Sequence, residues 1–357
     1  MALLLAIGVV SAFLSHFSLL DGAPRNSFQM FLDAQAHRPF VYRILAPTLV
    51  RCLDASLPNE IRVTLADRIA PVFRAKYVEP LTAQYEPLLP GITARAHADW
   101  ERAEYRSSYV LMVLLMLGSF VGAILLVHRA ARLLGSSSLG AYGAMLLYAT
   151  ITPTMFLNGG YFYDFTEQLG ALLLICCVLE ERWFIATITL IVMQFNKETA
   201  LLMVLFLAPY VWHLKRSRTS ICLWVIPQLT LCCAILFWVR WKFANLPGLP
   251  SEWHFLGNIA FWADLSSWTK TADFYSVNFE LPRMTYLYFA LVVLLRGWMK
   301  NVTPILVSAT FAFLSLMGLL MMMGYHDEFR NLSLATPFLV LLFVERRASS
   351  NYSLVAQ

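Results

Sequence analysis

Long apolar runs separated by short polar breaks dominate the chain. Ten of them read as transmembrane helices: 2–20, 109–127, 139–157, 165–179, 184–195, 198–212, 221–239, 284–298, 302–323 and 331–344. A span takes roughly 17–25 apolar residues; the shorter runs suit helices that line a cavity. Segment 2–20 lacks a charged start and a small-x-small cleavage site, so it reads as a span rather than a signal peptide.

The stretch from Trp183 to Trp212 is apolar except for Asn196, Lys197 and Glu198. As one straight helix it would measure about 45 Å, too long for a hydrocarbon core about 30 Å thick. The positive charges decide how it runs. Arg129, Arg132 and Arg182 mark cytoplasmic loops, and so do Lys215, Arg216 and Arg218. Both flanks lie on the same side only if the stretch crosses twice. Two short helices are therefore predicted, 184–195 and 198–212, with Lys197 at an outward-facing turn. Arg296, Lys300, Arg346 and Arg347 then fall inside, as do both termini. Short inner loops carry ten Lys/Arg and short outer segments six; the other eleven lie in loop 21–107, which is long enough to be exempt.

The expected fold class is all-α: a polytopic bundle of about ten spans in the inner (plasma) membrane, with residues 1–347 as one transmembrane domain and 348–357 as a cytoplasmic tail. Loop 21–107 is expected outside, with helices lying along the membrane and a solvated helical part from 57 onward, where seven basic and seven acidic residues alternate. Loop 241–283 carries WHFLGNIAFWADL, whose Trp and Phe content predicts an interfacial helix.

Composition narrows the chemistry. Hydrophobic residues make up 59% and charged residues 14%, against about 45–50% and 25% in soluble domains, so the surplus apolar surface faces a lipid bilayer. The net charge of +5 is scattered among apolar runs, which excludes nucleic acid as a partner. The six cysteines form no CxxC pair or zinc spacing, so no disulfide, metal or other cofactor is expected. No GxSxG, HExxH, P-loop or GxGxxG stands in a suitable context.

Charges at membrane depth cost roughly 2.5–3.5 kcal/mol each on insertion scales, so they are the first functional candidates. Five groups face outward. Asp21, next to Gly22, ends the first span; it reads equally as an ordinary helix-end carboxylate, and Asp33 competes with it. RPFVYRILAP offers Arg38, Tyr42 and Arg43 either as snorkelling side chains or as a surface for an anionic headgroup. GGYFYDFTEQ opens a span with Asp164 and Glu167, both of which fit helix capping and the helix dipole; Asp164, among Tyr161, Phe162, Tyr163 and Phe165, suits a sugar-facing aromatic patch equally well. NKETALL sets Lys197, with Glu198 beside it, at a helix N-terminus, which favours a bound phosphate over snorkelling. HDEFRN supplies Asp327, Glu328 and Arg330, which either pair among themselves or send Arg330 into a cavity.

This pattern resembles the GT-C superfamily of polyprenyl-phosphate-sugar-dependent membrane glycosyltransferases, in particular its small bacterial members. The likeness lies in Asp21-Gly22, YRILAP (42–47), the NKETALL hairpin and the late EFRN (328–331), and it runs over about residues 1–347. It implies a helical bundle with its active site at the outer surface and a polyprenyl-phosphate sugar donor. It also implies a general base at Asp21, with Asp33 as substitute, and donor-phosphate contacts from Lys197, Arg330 and Arg43. Tyr42, Tyr163, Asp164, Glu198 and Asp327 are then expected around the sugar and the acceptor. One carboxylate acting on an acceptor hydroxyl would invert the anomeric centre. No soluble C-terminal domain is expected, Gly22 rather than a second acid follows Asp21, and the acceptor stays open. A cell-envelope polysaccharide polymerase or ligase, a transporter or flippase, and a non-catalytic scaffold are the alternatives; a broken hairpin at membrane depth suits a transporter, but the charges gather at one surface.

Overall fold

The computed structural model describes residues 1–157, 159–215, 218–273, 280–300, 302–326 and 328–345. Arg216, Arg346, Arg347, the predicted tail 348–357 and Asp327 lie outside the described residues. The described chain is all-α apart from one short antiparallel pair of strands, Thr271–Asp273 and Glu280–Pro282.

A helix occupies each of the ten apolar stretches. The run is Ala2–Phe17, Ala103–Leu133, Ser138–Met155, Tyr163–Leu179, Trp183–Asn196, Leu202–Lys215, Arg218–Lys242, Thr285–Trp298, Pro304–Met323, and the 3-10 turn Phe329–Ala335 leading into Thr336–Val344. Three are long and apolar enough to cross a membrane: Ala103–Leu133, Cys222–Lys242 and Pro304–Met323. Their outward faces are apolar. Leu114, Leu125, Leu223, Phe237 and Leu314 are each more than half exposed, a surface that water would not tolerate over such an area.

Local signals set the helix ends. Helix Ala103–Leu133 stops at Gly135, whose φ of +80° admits the left-handed C′ position. There Gly135 N–H bonds Arg132 O and Ser136 N–H bonds Ala131 O, both at 3.0 Å. Ser137 Oγ then accepts from Gly140 N at 3.1 Å and opens the next helix. Thr303 Oγ1 does the same for Leu306 N at 3.3 Å, with Pro304 at the first helical position.

Contacts sort the helix termini into two ends of the bundle. At one end Arg129 Nε donates to Glu180 Oε1 at 2.5 Å and Lys215 Nζ to Glu181 Oε2 at 2.5 Å. Ser136 Oγ donates to Val344 O and Arg296 Nη1 to Phe343 O, both at 3.0 Å, and Thr303 Oγ1 to Glu345 at 2.9 Å. Every one of these residues sits in a loop or helix end predicted to be inside. The Lys215–Glu181 pair also answers the question of the Trp183–Trp212 stretch. Its two flanks meet, so it folds back on itself. Helix Trp183–Asn196 ends at Lys197, which is extended (φ −160°, ψ 137°), and the 3-10 turn Glu198–Leu201 leads into Leu202–Lys215.

The opposite end carries the long segments. Residues 21–102 hold helices Phe28–Leu32, Leu45–Ser56 and Ile92–Glu101 and a nearly continuous helical stretch over 59–85. That stretch widens into π-turns at Leu65–Ile69 and Arg74–Val78, just ahead of Pro71 and Pro80. A proline has no N–H to give the ladder, so the ladder re-registers there. The 253–265 segment forms helix Phe255–Ala263 with Trp253, Leu256 and Leu265 well exposed. Its buried Asn258 Nδ2 donates to Leu320 O, Met321 O and Gly324 O at 2.8–3.0 Å. With the His254 N–H on Met322 O at 2.9 Å and the Gly324 N–H on Leu320 O at 3.0 Å, this side chain helps to satisfy the carbonyls that end helix Pro304–Met323.

Candidate functional site

The site is built where segments 21–102 and 243–265 meet the Lys197 turn and the start of the last helix. Arg38 N–H donates to Pro247 O at 2.8 Å and its Nη2 to Gly248 O at 2.7 Å. Gly248 has φ +96°, and a Cβ there would stand 2.5 Å from Arg38 O, so only glycine permits this approach. Arg25 Nη2 bonds Glu252 at 2.6 Å. Together these contacts fix residues 38–43 against 247–254 and roof a cavity of about 350 Å³.

The cavity wall has two characters. Its polar part carries Arg43, Lys197, Glu198, Arg240, Glu328 and Arg330, with Glu252, His254 and Tyr161 nearby. Its apolar part runs along Leu201, Leu202, Leu236, Leu316, Leu319 and Met323, from helices Leu202–Lys215, Arg218–Lys242 and Pro304–Met323.

Lys197 is only 3% exposed and Asp164 and Glu167 are buried outright. Lys197 Nζ donates to Glu167 Oε2 at 2.9 Å and Asp164 Oδ1 at 3.3 Å. Glu167 also accepts from Ser333 Oγ at 2.6 Å and Thr199 Oγ1 at 3.1 Å. This cation is thus already matched by two carboxylates, and it ties helix Tyr163–Leu179 to the hairpin and to the 329–335 turn. Asp164 passes the link on, since its Oδ2 lies 3.8 Å from Arg330 Nη1.

Arg43 and Arg330 are held differently. Arg43 Nη2 donates to Glu198 Oε1 at 3.1 Å, and Arg330 Nη2 to Glu328 Oε2 at 3.4 Å. The guanidinium of Arg330 lies 4.3 Å from the Tyr161 ring centroid and that of Arg43 lies 5.0 Å from that of Tyr163. The two rings stack at 5.0 Å, 11° from parallel. Two cations are thereby mounted on one aromatic pair. Nε and Nη1 of both arginines are buried with no hydrogen-bond partner, and so is Glu198 Oε2. Unmade hydrogen bonds of this kind are rare in folded proteins and call for a missing partner.

Asp21 stands apart. It is 3% exposed and is not among the residues lining the cavity. It accepts from Ser18 Oγ at 2.6 Å, from Leu19 N at 3.2 Å and from the Tyr105 hydroxyl. Ser18, Leu20 and Gly22 have φ of 47°, 61° and 72°, so Asp21 pins a turn of strained backbone. A Cβ on Gly22 would meet Ile92 O at 2.4 Å, and Arg95 Nε donates to Gly22 O at 2.8 Å. The Asp21-Gly22 pair therefore seats the turn after the first helix on helix Ile92–Glu101. Burial raises the Asp21 carboxyl above the usual aspartate range, against the pull of its donors. Asp33 is paired with Arg102 through two bonds, at 2.9 and 3.4 Å, and also lies off the cavity lining.

Of the other predicted residues, Tyr42 is buried with Arg240 5.9 Å from its ring centroid, and Tyr163 backs Arg43. Asp327 lies outside the described residues. Sequence reasoning passed over Arg240, which ends an apolar run and so resembles a snorkelling residue. It also assigned Glu167 to the helix dipole, because nothing in the chain order announces its meeting with Lys197. No family model, curated protein or solved structure matches this chain.

Proposed function

We propose that the chain is a membrane glycosyltransferase of the GT-C kind, with about ten spans and both termini cytoplasmic. It moves a sugar from a polyprenyl-phosphate donor to an acceptor hydroxyl on the outer side of the membrane, with inversion. The observation that carries this reading is the joining of two unlike surfaces in one cavity. Buried guanidinium groups with unpaired N–H stand at one part of the wall, and a leucine and methionine surface forms another. An anionic head on a long apolar tail fits both.

Arg43 and Arg330 would hold the donor phosphate and offset the charge that grows on it as the sugar departs. Such preorganised donors act strongly where water is scarce. Lys197, with both carboxylates attached, orients Asp164 and through it Arg330. Among the described residues, no member of the ion-pair belt at the other end (Arg129, Glu180, Glu181, Arg182, Lys215) lines the cavity, which favours chemistry at one face over passage through the bundle.

The test is to incubate the purified protein with a panel of undecaprenyl-phosphate monosaccharides and a total membrane extract as acceptor source, and to measure free undecaprenyl phosphate. Release from at least one donor is expected. Release from none, with the protein folded, contradicts the reading.

A further inference from the structure

We propose that Glu198 is the general base that takes the proton from the acceptor hydroxyl, while Asp21 serves only to hold the first outer turn. This rests on the transfer reading above and assigns within it a role that the family resemblance places at Asp21.

The argument compares the carboxylates near the cations. Asp164 accepts Lys197 on Oδ1 and the Tyr161 N–H on Oδ2. Glu167 accepts on both oxygens, from Thr199 on one and from Lys197 and Ser333 on the other. Glu252 has Arg25 on one oxygen and His254 3.4 Å from the other. Asp21 is saturated and off the cavity. Glu328 also lines the cavity and accepts from Arg330 on Oε2 at 3.4 Å. Among the described carboxylates that line the cavity, Glu198 is the one with an oxygen fixed by Arg43 and its other oxygen buried without a hydrogen-bond partner. The extended Lys197 and the following 3-10 turn set it there, and Gln194 Nε2 holds its carbonyl at 3.5 Å. Glu198 is thus a short step from the phosphate clamp that Arg43 shares.

The step balances within these groups. The carboxylate of Glu198, whose side chain is 23% exposed, accepts the proton of the acceptor O–H as the oxygen's electron pair forms the new bond to the anomeric carbon. The bond from that carbon to the phosphate oxygen breaks, and its electron pair leaves with polyprenyl phosphate. The N–H groups of Arg43 and Arg330 meet the added negative charge. The proton on Glu198 passes to water before the next turnover.

The experiment uses the full chain in lipid nanodiscs, with undecaprenyl phosphate as the binding probe and the donor panel as the turnover assay. Glu198→Gln keeps the side chain's shape, so it should bind undecaprenyl phosphate within about threefold of wild type. Its kcat should fall by about 10²–10⁴-fold, the usual range for removing a general base, and Glu198→Asp should recover part of that loss. Turnover of Glu198→Gln near the wild-type rate overturns the assignment and leaves the transfer reading standing. The same holds if Glu328→Gln, on the Arg330 side, shows the loss instead. A wild-type protein that neither binds undecaprenyl phosphate nor releases it overturns both.

Discussion

Lys197 and Arg330 both put a positive charge beside Asp164, yet they do different work. Lys197 is enclosed by two carboxylates, so Lys197→Met leaves the buried Glu167 without its cation and Asp164 with Arg330 alone, 3.8 Å away. That should lower unfolding stability by about 3–5 kcal/mol, read from denaturant or thermal unfolding in detergent; an unchanged midpoint would show that the triad is not ionised. Asp99 offers a pH test. Its carboxyl is pushed up to about 6, by burial first and by the nearby Asp21 second, whereas an unfolded aspartate titrates near about 3.9. The stabilisation is therefore complete below about pH 4 and lost as pH rises through about 6. The wild-type melting temperature should fall across that window and that of Asp99→Asn should fall less; parallel curves contradict this. At this scale the sequence showed which residues were costly to bury, and so picked out Arg43, Lys197, Glu198 and Arg330, all of which line the cavity. It could not show which donors each acid meets. Asp21 looks free in the chain order, and only the fold brings Ser18 and Tyr105 onto it.

Helices were the most legible elements, because apolar length and flanking charge are written along the chain. The break at Lys197 was readable for the same reason: one helix would be too long, and both flanks are basic. The π-turns over 59–85 and the capping of helix Pro304–Met323 by Asn258 were not, since each depends on a partner or a register that no local pattern specifies. Asn258→Ala would strip the side-chain donor from the carbonyls of Met321 and Gly324 and leave Leu320 O with the Gly324 N–H alone. The expected cost is about 1–3 kcal/mol, with faster amide exchange over residues 320–326 and weaker docking of helix Phe255–Ala263. Exchange as slow as in wild type would show that these carbonyls find other donors.

Across the whole molecule, the helix ends alternate between a belt of ion pairs and a roofed cavity, and this arrangement gives the charge bias of the loops a physical frame. In a cysteine-free background on intact cells, a membrane-impermeant maleimide should label a cysteine at Glu86 and not one at Ser137; the reverse pattern would invert the proposed orientation. The central claim concerns the cavity as a seat for an anionic lipid, and its most direct test is native mass spectrometry in nanodiscs with undecaprenyl phosphate against the neutral undecaprenol. The wild-type protein should retain the phosphate form preferentially, and Arg43→Gln and Arg330→Gln should each weaken that retention by about tenfold or more, roughly 1.4 kcal/mol. Equal retention of phosphate and alcohol, or variants that bind as the wild type does, would contradict the account.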